Sequence, residues 1–208
     1  MVEFEYQKNP AEIYQQSFSI VQAEADFSRL PTEFWSVATR LIHACGMIDI
    51  VQDLAFSGAA VTAGQTALRK GTTVYCDVEM VRSGIISASL PEGIDVACML
   101  NDPRIPPHAR KIGNTRSAAA VDYWDELEGS IVVIGNAPTA LFHLMERVNA
   151  GYGKPALVVG IPVGFVGAVE SKQMLATNTL GLEYITVLGR RGGSAMASSV
   201  LNALAKDL

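Results

Sequence analysis

Ser36, Arg40 and His43 fall at positions i, i+4 and i+7 within an otherwise apolar stretch, TEFWSVATRLIHACG (32–46). Wound as a helix, this stretch gathers Phe34, Val37, Ala38, Leu41 and Cys45 on one face, with Trp35 and Ile42 beside it. The three polar residues then form a single stripe. An arginine and a protonated histidine one turn apart repel each other unless an anion sits between them, and an acidic ligand would be such an anion. Histidine is also the side chain that most readily gives or takes a proton near neutral pH. The stripe therefore suits proton transfer to or from an anionic ligand. The same spacing also fits a surface arginine beside a partly buried structural histidine.

Other polar residues are candidates on weaker grounds. Ser17 lies four positions after Ile13 and three before Ile20, inside an apolar stripe, so its hydroxyl needs a partner. A bond back to its own helix carbonyl or a ligand contact would each provide one. Arg116 follows Asn114-Thr115, a helix-capping pair, and an arginine in a first turn opposes the helix dipole, which suits a bound anion. His143, among Leu141, Phe142, Leu144 and Met145, is read as structural, and His108, in RIPPHARK, as a solvated loop residue. No Ser-His-Asp order, paired carboxylates or HExxH pattern stands out.

These residues need a scaffold, and the chain describes one. Apolar positions at helical spacing run through 10–25 and 32–46, and 48–70 continues as one or two helical pieces ending at Gly71. From there short β-rich runs appear at 72–78, 94–100, 131–135, 155–161 and 183–189. Segments of helical periodicity at 115–128, 137–149, 166–177 and 194–206 alternate with them. Such alternation predicts a three-layer α/β/α fold, one domain over 1–208, with a mainly parallel sheet of about five strands and an N-terminal helical portion packed on it. Ligands of such sheets collect beyond the carboxyl ends of the strands. Four of those ends are unusual: 77–82, Asn136-Ala137-Pro138-Thr139, Pro162-Val163-Gly164-Phe165 and the Gly-rich 189–194. Small residues there expose backbone N–H groups at helix starts, an anion-binding arrangement, although tight turns use the same residues. The stretch IVVIGNAPTALFHL (131–144) has neither a phosphate-loop lysine nor a dinucleotide glycine pattern.

Composition narrows the classes. In 208 residues, hydrophobic types make up 49% and charged types 18%, which provides for a sizeable core. Sixteen basic against twenty-one acidic side chains give a net charge of −5, which argues against nucleic-acid binding. Cys45, Cys76 and Cys98 are odd in number and scattered, so neither a disulfide framework nor a zinc site is expected, and a reducing cytoplasm fits. The polar MVEFEYQKNP start carries no signal-peptide pattern, and the uncharged run ALVVGIPVGFVGAV falls short of the roughly 20 apolar residues of a membrane helix.

Several blocks taken together carry a resemblance. NPAEIYQQSFSIVQAE, RLIHACG, CDVEMVRSGI, NTRSAAA, IGNAPTAL, GIPVGFVGAVESK and GRRGGSAMASSVLNAL, in this order over nearly the whole chain, resemble the precorrin-8X methylmutase family of corrin biosynthesis, including its cobalt-precorrin-8 counterparts. The resemblance implies an isomerase that moves a methyl group from C-11 to C-12 of the tetrapyrrole as a 1,5-sigmatropic shift. The product is hydrogenobyrinate, or cobyrinate from the cobalt form. It implies His43 as proton donor and acceptor, Ser17 and Arg40 as substrate contacts, and Arg116 on a side-chain carboxylate. It also implies a homodimer with active sites near the interface, and no cofactor or metal held by the protein. On this reading Asn136, Thr139 and Gly164, in their strand-end loops, face carboxylate arms of the macrocycle. Packing against a dimer mate is the alternative for those loops, and a non-catalytic tetrapyrrole carrier is the alternative for the whole.

Overall fold

A computed structural model describes residues 4–206 and 208. The start of the N-terminal segment, residues 1–3, lies outside the described residues. Helix α1 (Pro10–Glu24) begins where Asn9 caps it, its side chain accepting from the Ala11 N–H at 3.0 Å, with proline in the first turn. After a short 3₁₀ turn, α2 (Trp35–Cys45) runs to Gly46, whose φ of 69° closes the helix in the left-handed region. A 3₁₀ segment (Ile48–Asp53) leads into strand β1 (Leu54–Phe56). There follow α3 (Ala60–Arg69), β2 (Val74–Cys76), α4 (Glu79–Gly84), β3 (Val96–Ala97), α5 (Ile105–Ile112), α6 (Arg116–Val121) and β4 (Ile131–Ile134). The chain ends with α7 (Pro138–Asn149), β5 (Leu157–Gly160), α8 (Ala168–Ala176), β6 (Tyr184–Val187) and α9 (Ser194–Lys206).

The six strands form one sheet in the order β1-β6-β5-β4-β2-β3. Strands β2 to β6 are parallel, and β1 runs antiparallel on the β6 edge, Leu54 opposite Val187. The five expected strands are all present, and a sixth joins them. The extra strand lies inside 48–70, which reads as helical from its spacing. Its three residues become a strand only because β6 offers an unpaired edge. Two further helices, α4 and α5, occupy stretches where none was expected, and the helix expected over 115–128 stops at Val121.

Alternate residues of each inner strand face opposite layers. Val74, Cys76, Ile131, Val133, Leu157 and Val159 pack under α2, α3, α4 and α9. Tyr75, Val132, Ile134 and Val158 pack under α6, α7 and α8. β4 and β5 are buried throughout, as their unbroken apolar runs require. The N-terminal portion does pack on the sheet, with α2 laid along α9. Helix α1 lies outside α2 and buries only Val21, leaving Ile13, Tyr14 and Ile20 more than two-fifths exposed. No helix among the described residues is long and apolar enough to cross a membrane.

Candidate active site

His43 sits near the end of α2, on the face that meets α1. The Ser17 hydroxyl of α1 lies 2.8 Å from its Nδ1. The two residues are 26 positions apart, and their meeting gives the Ser17 hydroxyl a partner other than its own helix; that back-bond is made instead by Ser19, to the Gln15 carbonyl. Tyr14 and Phe18, on either side of Ser17, bracket the imidazole with ring centroids 5.4 and 5.3 Å away. Nε2 makes no hydrogen bond among the described residues. Beside the ring, Ile13, Ser17, Ile20, Val21, Ile42 and Ile48 line an open and largely apolar groove of about 480 Å³.

Arg40, one turn before His43, also approaches Phe18. Its guanidinium carbon lies 5.8 Å from the Phe18 ring centre, and its Nε is buried without a partner. The Lys206 ammonium approaches the same ring at 5.5 Å. Two cations therefore lie against one aromatic ring beside an imidazole, and a carboxylate is the natural counter-ion. Ser36, the third member of the sequence stripe, is half-buried and takes no part in this arrangement.

Arg116, Asn136 and Thr139 make up a second group, at the start of α6, in the loop after β4 and in the first turn of α7. Thr115 caps α6 as expected, accepting from the Ala118 N–H at 3.1 Å, and its hydroxyl lies 2.8 Å from that of Thr139. The exposed Arg116 reaches back to the Leu100 carbonyl at 2.8 Å and to Asn101 at 3.3 Å. Gly164, at φ 146°, gives its N–H to the Arg190 carbonyl at 3.3 Å, and Arg190 lies over the exposed ring of Phe165. Among the described residues no hydrogen bond or ion pair joins this group to His43.

The helix-start N–H groups have a different use from the one expected. Asp77, at the end of β2 and almost wholly buried, accepts from Gly135 at 3.0 Å, Asn136 at 2.9 Å and Ala137 at 2.8 Å. Burial pushes its pKa up, and the three donors oppose that. The anion place before α7 is thus filled from within the chain. What remains open to a ligand in this loop is the Asn136 side chain. A lone acid ending an apolar strand is the signal for Asp77. For Tyr14 and Phe18 the signal is their spacing around Ser17.

The two other histidines are also placed. His108 belongs to α5 rather than to a solvated loop. It is half-buried, with Nε2 2.6 Å from Asp122 Oδ2, because Pro106 and Pro107 start a helix instead of breaking one. His143 lies between Asp122 at 3.0 Å and Glu146 at 2.8 Å, the structural position expected for it. Burial works to raise the Asp122 pKa, but its hydrogen bonds with both histidines, with the charge of Arg147, hold it below the usual carboxylate value.

Comparison with known proteins adds an independent line. The family model described as precorrin-8X methylmutase matches residues 12–207. A precorrin-8X methylmutase of Pseudomonas aeruginosa is 52% identical over 98% of each chain, and one from Sinorhizobium sp is 49% identical over 99% of each. A cobalt-precorrin-8 methylmutase of Leptospira interrogans is 36% identical, covering 92% of this chain and 91% of its own. The solved structure of a precorrin-8X methylmutase from Thermus thermophilus superposes with a TM-score of 0.85 at 36% identity, over 94% of this chain and 95% of that one. With both sequence and fold matched almost end to end, the chain belongs to the precorrin-8X methylmutase family.

Proposed function

We propose that the protein moves the methyl group of precorrin-8X from C-11 to C-12, giving hydrogenobyrinate, with His43 as the group that lends and recovers a proton. Membership of the family makes it an isomerase, a methylmutase of cobalamin biosynthesis. The observation that carries the role of His43 is the 2.8 Å contact between Ser17 and Nδ1. A serine hydroxyl can donate to a neutral Nδ1 or accept from a protonated one. It therefore holds the ring in one orientation through both protonation states and leaves Nε2 to face the substrate. A proton shared from Nε2 with a ring nitrogen draws electrons from the conjugated system, which eases migration of the methyl group. The proton returns once the methyl has moved, so atoms and charge balance. General acid help of this kind contributes about 10²–10⁴-fold.

Arg40, with Ser17, holds the substrate at the groove, and Arg116 takes a carboxylate arm. Asn136 and Thr139 shape the second rim, with their side chains rather than N–H groups of the 135–137 turn meeting the ligand, and Gly164 leaves room beside them. The active unit is a homodimer with its sites near the interface. The exposed Ile13, Tyr14 and Ile20 of α1, together with Phe165 and Val166, support this, since a lone chain leaves them in water. We place the protein in the cytoplasm, in keeping with its three unpaired cysteines. Metal-free precorrin-8X is the preferred substrate: the relatives near 50% identity carry that name, and those at 33–37% carry the cobalt one.

The test is conversion of metal-free and cobalt precorrin-8 substrates, followed in the visible spectrum, by wild type and His43→Ala. Faster turnover of the metal-free form by wild type, lost by at least about 100-fold in the variant, is expected. A stable bound spectrum without conversion of either substrate would favour a carrier instead.

A further inference from the structure

Lys172, on α8, has none of its surface exposed, and the reaction described above makes no use of it. An ammonium withdrawn from water is costly unless something compensates its charge. Its Nζ donates to the Arg191 carbonyl at 2.7 Å, a single neutral acceptor for three N–H groups. The guanidinium of that same Arg191 turns the other way, donating to Asp49 at 2.7 Å and to Asp53 at 2.5 Å. One guanidinium against two carboxylates leaves a net negative charge, and the ammonium makes the four groups neutral. The Asp53 charge does favour the ammonium, although burial draws its pKa down to about 8.

These four groups tie together three pieces of the molecule: α8, the turn at 189–193 and the 3₁₀ segment Ile48–Asp53. That turn has no slack. A Cβ on Gly192 would fall 2.5 Å from the Ile161 carbonyl oxygen and 2.7 Å from that of Pro162, and the Gly193 N–H already bonds the Ile161 carbonyl at 2.9 Å. The 3₁₀ segment, in turn, continues from the end of α2, and Gly46 and Ile48 line the groove beside His43. Position is therefore passed from a buried lysine to the wall of the groove by bonds that each have a defined geometry.

We propose that Lys172 is a positioning residue for the methyl shift, balancing Asp49 and Asp53 through Arg191 and so holding the groove wall in place beside His43. The inference rests on the methylmutase reading. Its test is a double-mutant cycle on the purified protein with precorrin-8X, comparing wild type, Lys172→Met, Asp53→Asn and the pair combined. Lys172→Met leaves the network negatively charged and lowers kcat by about 10- to 100-fold, as a displacement on the order of 1 Å does. Adding Asp53→Asn restores neutrality and recovers most of that loss, which a role in packing alone would not produce. A Lys172→Met enzyme with wild-type kcat, or a combined variant no faster than Lys172→Met, overturns the proposal. Where Lys172→Met does not fold, Asp53→Asn alone is set against the combined variant, which must be the faster. If wild type converts neither the metal-free nor the cobalt substrate, the methylmutase reading itself has failed. The charge balance is then read from the Tm of the same four proteins, where additive effects refute it.

Discussion

Replacing Ser17 by alanine removes one hydroxyl and leaves the α1 backbone and the His43 ring in place. A hydroxyl bond to a neutral Nδ1 contributes about 0.5–1.5 kcal/mol. When His43 carries the proton the same bond becomes charge-assisted and is worth about 1.5–3 kcal/mol. What limits kcat is the stabilisation present while the imidazole works, so the expected loss lies between about 10- and 150-fold. The fold should hardly register the change. Ser17 is half-buried on a helix that buries little, so the Tm should move by no more than about 2–4 °C. Visible-spectrum turnover of precorrin-8X gives kcat, and calorimetry gives the Tm. Combining Ser17→Ala with His43→Ala supplies the control: if the serine acts only through the imidazole, the double variant is no slower than His43→Ala alone. A Ser17→Ala enzyme with wild-type kcat, or a double variant that multiplies the two losses, would refute the idea that the serine sets the histidine.

Asp77→Ala strips three N–H groups of their acceptor, the two buried ones each costing about 1–3 kcal/mol, and a net loss of at least about 2 kcal/mol is expected in urea unfolding; a loss under about 1 kcal/mol would show that the 135–137 turn holds itself. Lys172 makes a prediction about pH that does not depend on turnover. Burial lowers its pKa in the folded chain from 10.5 to about 8, with Asp53 opposing and Arg191 and Asp49 alongside. Between those two values the unfolded chain binds more protons than the folded one, so this group's contribution to stability rises with pH from about 8 to 10.5. Urea titrations of wild type and Lys172→Met across that window should diverge in favour of wild type, and parallel curves would mean the lysine is not strained by burial.

Strands β4 and β5 are legible because a strand covered on both faces must be apolar along its whole length, and IVVI and LVVG are; β6 departs from this at the buried Thr186, whose hydroxyl donates to the Gly160 carbonyl. The helix carrying His43 is equally legible, since Phe34, Val37, Ala38 and Leu41 all prove buried where helical spacing puts them. β1 could not be read. Three residues have no period of their own, and Leu54–Phe56 is a strand only by pairing with β6. His108 was misplaced for a related reason, because two prolines mark a helix start as well as a loop, and only the Asp122 carboxylate, 14 positions on, distinguishes them. The candidate site divides along the same line. Residue types and spacing single out His43, Arg40 and Ser17, and the order of seven sequence blocks brings out the family resemblance.

The sequence by itself thus determined the layers, the helix that bears the histidine and the chemistry the site can attempt, because burial and helical period are local properties of a chain. Only the tertiary structure decided who touches whom. It brought Ser17 to Nδ1 across 26 positions, and it filled the turn before α7 with Asp77 from 58 positions away. It also placed a buried ammonium behind Arg191. Hydrogen bonds and charge balance reach only a few ångströms through space, whatever the distance along the chain, so no pattern in the sequence records them.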